Sequence, residues 1–438
     1  MTYRFGTRYL LSVEYKSLLL PAFVAFMHCA PAWAGNGINL IGFGTESVGM
    51  GGADIAVARD TTALNTNPAG LTQLRSAAFD SYISNAFALD VAHADRFGND
   101  RKVDNDVISI GGGGYARPLG ASGLVAGFGF FAQGGAGNVY KDLHTPFGGT
   151  DEVSGLFGIV RLMPGIAWRV NDQLSIGASA AITHAMAKQR VFAGLSATGT
   201  SPSQNFFGTI VKDLQATELG GRFGVQYAVT PALTLAAVYA PKTELPLKKG
   251  YADVNMTALG LGIVRYEDAR LTGLALPQEI GVGTAWKASP GTLISFELTW
   301  LDWSGALKAQ TLRLAAPKTA GAPGVVEQTA RLDWKDQYVF ALGMAQDVND
   351  RLTLYGGLNY GRRPARAETT SPLLSAAGEK HITGGFRLNV APGWLFSAAV
   401  EYLFKQTVTY DNPQLPFGPG AQERNNYVAV HAMLSRRW

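Results

Sequence analysis

The sequence predicts an all-β fold, a transmembrane antiparallel β-barrel of about 14 strands with an N-terminal plug inside the lumen. Three observations predict it. From residue 76 onward, short segments alternate apolar residues with small or polar ones. The connections between them alternate between tight turns and long loops. The chain ends on an aromatic residue, Trp438, behind alternate apolar positions at Leu434, Ala432, Val430 and Val428. Composition agrees. Gly (53), Phe (22), Tyr (16) and Trp (8) are plentiful, while charged residues make up only 16%, too few for the exposed face of a soluble sandwich.

Residues 1–34 read as an export signal. Arg4, Arg8 and Lys16 supply positive charge, residues 17–30 form an apolar core, and Ala32–Ala34 fit a small-x-small cleavage site before Gly35. The core is shorter than the roughly 20 residues a spanning helix needs. Cys29, the only cysteine, lies in this segment without a lipobox. The exported chain is therefore expected to form no disulfide, leaving packing and backbone hydrogen bonds to hold it. No later stretch reaches 18 consecutive apolar residues, which argues against a helical membrane protein.

Residues 35–75 do not alternate. They read as short helical pieces broken by glycines. Asn67 precedes Pro68 and is pushed to an extended conformation. Its side chain can cap a turn that begins at Pro68. A small, packable segment of this kind in front of a barrel suits a plug.

The strands are expected near 76–89, 105–118, 123–138, 155–170, 174–189, 217–229, 233–245, 278–288, 292–303, 336–347, 352–364, 381–390, 394–406 and 425–438. Period two is clear in 394–405, where Trp394, Phe396, Ala398, Val400, Tyr402 and Phe404 share one face. Leu395, Ser397, Ala399, Glu401, Leu403 and Lys405 share the other. Tight turns fall at 118–123, 170–173, 229–232, 288–291, 348–351 and 390–393, and long loops fall between them. Short turns belong on the periplasmic side of such barrels and long loops outside. The longest loops of the first half are expected at 190–216 and 246–277. Arg436 breaks the apolar alternation of the last strand, at a rim where its stem can reach water.

Residues 42–74, "GFGTESVGMGGADIAVARDTTALNTNPAGLTQL", resemble the FadL/TodX family of outer-membrane transporters for hydrophobic compounds. "MPGIAWRVNDQLSIGAS" (163–179), "LPQEIGVGTAW" (276–286) and the barrel terminus extend the resemblance over nearly the whole exported chain. It implies a signal peptide at 1–34, a hatch at 35–75 and a barrel at 76–438 in a Gram-negative outer membrane. Asn67, Pro68, Ala69 and Gly70 stand at matching hatch positions. The implied substrates are long-chain fatty acids or aromatic hydrocarbons, imported by diffusion, with hatch movement and sideways exit through a kinked strand. The resemblance also implies a monomer among outer-membrane lipid and lipopolysaccharide, inserted by the barrel assembly machinery, with no cofactor.

Within that frame, Gly134, Gly135 and Gly137 are candidates for a wall kink. Phe206 and Phe207 are candidates for first contact with a greasy solute. Arg161, Glu297, Glu401 and Lys405 are expected to point inward.

Other classes fit less well. A hydrolase would need a serine with a histidine and an orienting group. There is no G-x-S-x-G, and His93, His144, His184, His381 and His431 show no paired spacing. No metal spacing or P-loop is present, and "GFGTESVGMGG" lacks the preceding strand of a dinucleotide site. A net charge of +4 without basic runs gives no sign of nucleic-acid binding. A general porin would have a charged, unplugged lumen.

Overall fold

The computed structural model describes residues 35–199, 205–374 and 378–438. The expected export signal lies outside the described residues. Fourteen strands form the wall: β1 (Ala78–Ala88), β2 (Val107–Pro118), β3 (Leu124–His144), β4 (Thr150–Arg169), β5 (Leu174–Ala197), β6 (Phe206–Thr230), β7 (Leu233–Ala240), β8 (Glu279–Ser289), β9 (Thr292–Leu301), β10 (Gln337–Asp347), β11 (Leu352–Gly361), β12 (Lys380–Ala391), β13 (Trp394–Tyr410) and β14 (Ala421–Arg437). Each pairs antiparallel with the next, and β14 returns to β1 in register from Ala78↔Arg437 to Ala88↔Tyr427. Closure joins the first strand to the last, so the wall has no terminal strand with an open edge in hydrocarbon.

All fourteen expected segments are strands, and the alternation sets their faces. On β10, Tyr338, Phe340, Leu342 and Met344 are exposed, while Val339, Ala341 and Ala345 are buried. Aromatic residues gather where outward faces meet the two interfaces. Trp168, Tyr227, Trp286 and Trp394 lie near the short turns, and Tyr239, Tyr338 and Tyr360 near the opposite ends. Arg436 reaches the rim as expected, where its guanidinium lies over the rings of Trp394 and Trp438 and donates to Pro392 O at 2.7 Å.

Two expected loops are instead largely strand. β5 runs on to Ala197 and β6 begins at Phe206, so most of 190–216 is a paired hairpin. Residues 247–255 and 263–272 are also strands, and with 309–317 and 325–331 they form a sheet continuing from the upper half of β6. These stretches are polar and interrupted by glycines, which makes them look like loops, but the turn through Gly260 and Gly262, at φ +76° and +66°, returns the chain so that pairing resumes at Ile263.

The lead segment holds a short helix α1 (Gly44–Gly49) and 3-10 turns at Thr61–Leu64 and Pro68–Gln73. The expected cap is present, with Ala69 N–H donating to Asn67 Oδ1 at 3.1 Å. Backbone without regular structure must find partners elsewhere. Here they are side chains of the wall. Glu297 accepts from the Asp54 and Ile55 amides at 3.1 Å each, and Asp80 accepts from Thr61 N–H at 2.8 Å. Ser179, Asn359, Thr383 and Arg222 donate to the carbonyls of Leu64, Gly51, Gly49 and Thr66 at 2.7, 2.9, 3.0 and 3.0 Å. Glycines let the two backbones meet. A Cβ at Gly357 of β11 would fall 2.2 Å from Gly51 N.

Candidate functional site

Three features meet around residues 36–55 of the lead segment. The outermost is an apolar cavity of about 190 Å³. Ile38 of the lead segment lies at its floor, Phe157 and Leu214 of the wall at its side, and Leu271, Leu307 and Leu332 toward the outer sheet. Most of these belong to one buried apolar cluster that also holds Trp303 and Trp334, whose rings meet edge-on at 5.2 Å. Such a site gives a greasy solute favourable transfer from water.

Next comes a charged layer around the lead segment. Arg222 of β6 donates twice to Glu279 of β8, at 2.7 and 2.6 Å. Asp54 accepts from Ser47 Oγ at 2.5 Å and lies beside Glu297 in the same polar cavity. Arg161 of β4 is buried, and its Nε has no hydrogen-bond partner among the described residues. Bidentate geometry makes the Arg222–Glu279 pair a rigid brace on the inner face of the wall, spanning β7 from β6 to β8.

The third feature is a break in the wall. β2 and β3 pair from Pro118↔Val125 to Gly112↔Phe131 and no further. Above that rung, Val107–Gly111 pair with β1 alone. On the other side, an extra residue, Gln133, sits where the β3–β4 register shifts between Ala132 and Gly134. The freed edge of β3 turns to the lead segment instead. Gly135 N–H donates to Ile38 O at 3.0 Å, and Gly134 bridges Asn39. Gly134 has φ +152°, and a Cβ there would fall 2.1 Å from Ile38 O. The opening is closed off above by Asn105, which donates to Gly137 O at 3.1 Å and accepts from Val139 N–H at 2.9 Å.

The structure thus brings Gly134, Gly135 and Gly137 to one opening, and sets Glu297 and Arg161 inward. Asn67 reaches further than its cap, donating to Ile55 O at 2.8 Å, and Pro68, Ala69 and Gly70 are buried beside it. Gly70 leaves room for Ala58. Phe206 and Phe207 open β6 rather than a loop. Phe206 stacks on Phe147 at 5.0 Å and Phe192 at 6.1 Å, and Phe207 packs against the cluster around the cavity. Lys405 falls in a register shift of β13 between Leu403 and Gln406, which takes it out of the alternation. Its side chain is 54% exposed and pairs with Asp90 at 2.6 Å.

Glu401 points inward and is buried, accepting from Tyr427 at 2.7 Å and lying 2.9 Å from His381 Nδ1 and 3.5 Å from His431 Nε2. Two histidines that look scattered in sequence therefore share one carboxylate. The Arg222–Glu279 pair was equally hidden. Its one sequence signal is that each residue precedes an outward apolar partner, Phe223 and Ile280, at an inward position.

Comparison with known proteins agrees with this geometry. Solved structures similar in fold include the toluene transporter TbuX of Ralstonia pickettii, at 20% identity and TM-score 0.72, covering 91% of this chain and 99% of that one. The toluene transporter TodX of Pseudomonas putida matches at 18% identity and TM-score 0.76, covering 92% and 100%. A FadL homologue of Pseudomonas aeruginosa matches at 16% identity and TM-score 0.70, covering 92% and 99%. Among curated proteins none matches in sequence. The family model for outer membrane protein transport proteins (OMPP1/FadL/TodX) matches residues 24–433. The chain belongs to this family of outer-membrane transporters for hydrophobic compounds.

Proposed function

We propose that the chain admits small hydrophobic compounds passively, along a path that ends sideways in the membrane. Residues 1–34 serve as signal, 35–75 as hatch and 76–438 as barrel. The observation that carries the path is the break between β2 and β3, whose freed edge is held by the hatch at Ile38 and Asn39. A solute in the apolar cavity touches Ile38 from the other side. Displacing that residue would loosen the edge of the opening and connect cavity to membrane. Lateral exit spares the solute a return to water.

Cavity size supports a substrate class. A cavity of about 150 Å³ lined by aliphatic residues holds benzene, and this one measures about 190 Å³. A single-ring compound fits it better than a long acyl chain does. TbuX and TodX, which share the fold, are named toluene transporters. Asn67, Pro68, Ala69 and Gly70 shape the hatch; Gly134, Gly135 and Gly137 form the kink. Phe206 and Phe207 are the outer greasy contacts, and Arg161, Glu297 and Glu401 brace the hatch and bore. Lys405 serves at the rim. A monomer inserted by the assembly machinery among lipopolysaccharide completes the reading. Neither the fold nor the family favours a porin or a hydrolase.

The test is uptake of labelled toluene and labelled oleate by cells lacking their own transporter. Cells expressing the protein should gain toluene several times faster than empty-vector cells, with a smaller gain for oleate, and the Asn67→Ala, Pro68→Ala variant should alter the toluene rate. No uptake of either, with a large steady ion conductance in planar bilayers, would sink the transporter reading.

A further inference from the structure

Tyr82 stands inside the wall on β1, opposite Gly112 of β2, and is 3% exposed. Gly112 has no side chain to stop it. A Cβ there would lie 2.7 Å from the Tyr82 hydroxyl and 2.7 Å from Phe130 O. The phenol therefore reaches across β2 to the edge of β3. It arrives at the rung where the two strands stop pairing, Gly112↔Phe131. Its ring belongs to the same apolar cluster as Phe43 and Leu64 of the lead segment and Phe131 of β3. One side chain thus links the foot of the opening to the hatch.

The hydroxyl is the anomaly. It is buried and has no hydrogen-bond partner among the described residues. Buried hydroxyls are nearly always paired, and an unpaired one costs stability that phenylalanine would spare. Phenylalanine would fill the same cluster. The hydroxyl gains a use when a partner arrives, and the adjoining opening is where a compound would pass.

We propose that Tyr82 is a specificity-determining residue at the wall opening, its hydroxyl donating a hydrogen bond to an oxygen carried by the passing compound. Single-ring compounds bearing a hydroxyl are then favoured over the bare hydrocarbon of the same shape. This rests on the reading of the β2–β3 break as the exit. It goes beyond that reading by giving the exit a chemical preference that the apolar cavity does not supply.

The test pairs two labelled probes of nearly equal shape, p-cresol and p-xylene, in cells lacking their own transporter. Wild-type protein should raise uptake of both above that of empty-vector cells. Tyr82→Phe, shown to be folded by its resistance to unfolding in unheated detergent gels, should slow p-cresol uptake roughly fivefold, the loss of about one hydrogen bond, and leave p-xylene unchanged. Equal slowing of both probes, or no change in either, overturns the proposal and leaves the exit reading standing. Absence of any uptake by the wild-type protein removes the exit reading and the proposal with it.

Discussion

Two seams of the barrel invite comparison. Both are rich in glycine and both touch the lead segment. Between β10 and β11, Gly343 faces Gly357, and the ladder runs unbroken from Val339↔Gly361 to Asp347↔Thr353. The lead segment presses on it so closely that a Cβ at Gly343 would fall 2.5 Å from Met50 O. Between β2 and β3, the glycines at 111–114 and at 134, 135 and 137 border a ladder that stops. Glycine alone therefore does not open a wall. The open seam has two further ingredients: an inserted residue, Gln133, and a rival backbone acceptor, Ile38 O. The closed seam has neither, and its glycines serve close approach instead.

Matched substitutions would break this comparison most sharply. Gly134→Val drives a side chain into Ile38 O and should raise toluene uptake by about tenfold, since the lead segment can no longer hold the edge of the opening. Gly357→Val drives one into Gly51 N and should displace the lead segment from an intact seam, read as raised ion conductance in planar bilayers. If the two variants behave alike, the seams do not differ in function.

A middling effect is expected at Asn105, whose side chain makes two hydrogen bonds that close the opening from above. Neutral hydrogen bonds contribute about 1 kcal/mol each. Asn105→Ala should therefore widen the opening and raise uptake by a few-fold, measured beside an exposed control substitution. No rise would mean that the opening is not limiting.

Glu297 sharpens the comparison from within. Its Oε2 accepts from both the Asp54 and Ile55 amides, and a net hydrogen bond contributes about 1 kcal/mol. Glu297→Ala removes the acceptor shared by the two amides. Hydrogen exchange should quicken at those two amides while the β10–β11 amides stay protected. Uniform quickening would show general destabilisation instead.

The smallest effect lies outside the membrane. His93, in the hairpin of 92–94 and 100–102, is pressed between Glu423 at 2.6 Å and Asp95 at 3.1 Å. Burial works to lower its pKa, but the carboxylates of Glu423 and Asp95 outweigh it and carry it from 6.5 up to about 9. A raised histidine stabilises the fold fully below its unfolded value, and that contribution is lost as pH climbs through the folded one. Between pH 6.5 and about 9 the hairpin should loosen, read as faster proteolysis near residue 97, with uptake little changed. Loosening on acidification instead would reverse the sign and exclude this pairing.

Much of this wall is legible in the sequence because period two and turn chemistry are local. Trp394 to Phe404 declare their face without knowledge of any neighbour. The Asn67 cap is legible for the same reason. The β2–β3 break was only half visible. The glycines at 134, 135 and 137 stand out, but the stop at Gly112 depends on register and on where Ile38 lies, which are long-range facts. Lys405 shows the same limit, since one inserted residue changes the face that alternation assigns. The clusters at Arg222–Glu279 and at His381–Glu401–His431 join neighbouring or next-but-one strands, but their meeting depends on the register between those strands, which alternation within one strand does not announce.

The way the lead segment is bonded also has a bearing on the order of assembly. Its carbonyls and amides are matched by side chains drawn from β1, β5, β6, β9, β11 and β12, nearly the whole circumference. A cylinder closed before this guest arrived would face its own polar groups across a wet void. The segment precedes every wall strand in the chain, so it is available as a template while the strands gather round it. We expect a chain lacking residues 35–74 to close more slowly than the full chain during refolding into lipid, and equal closure rates would show that the cylinder needs no template.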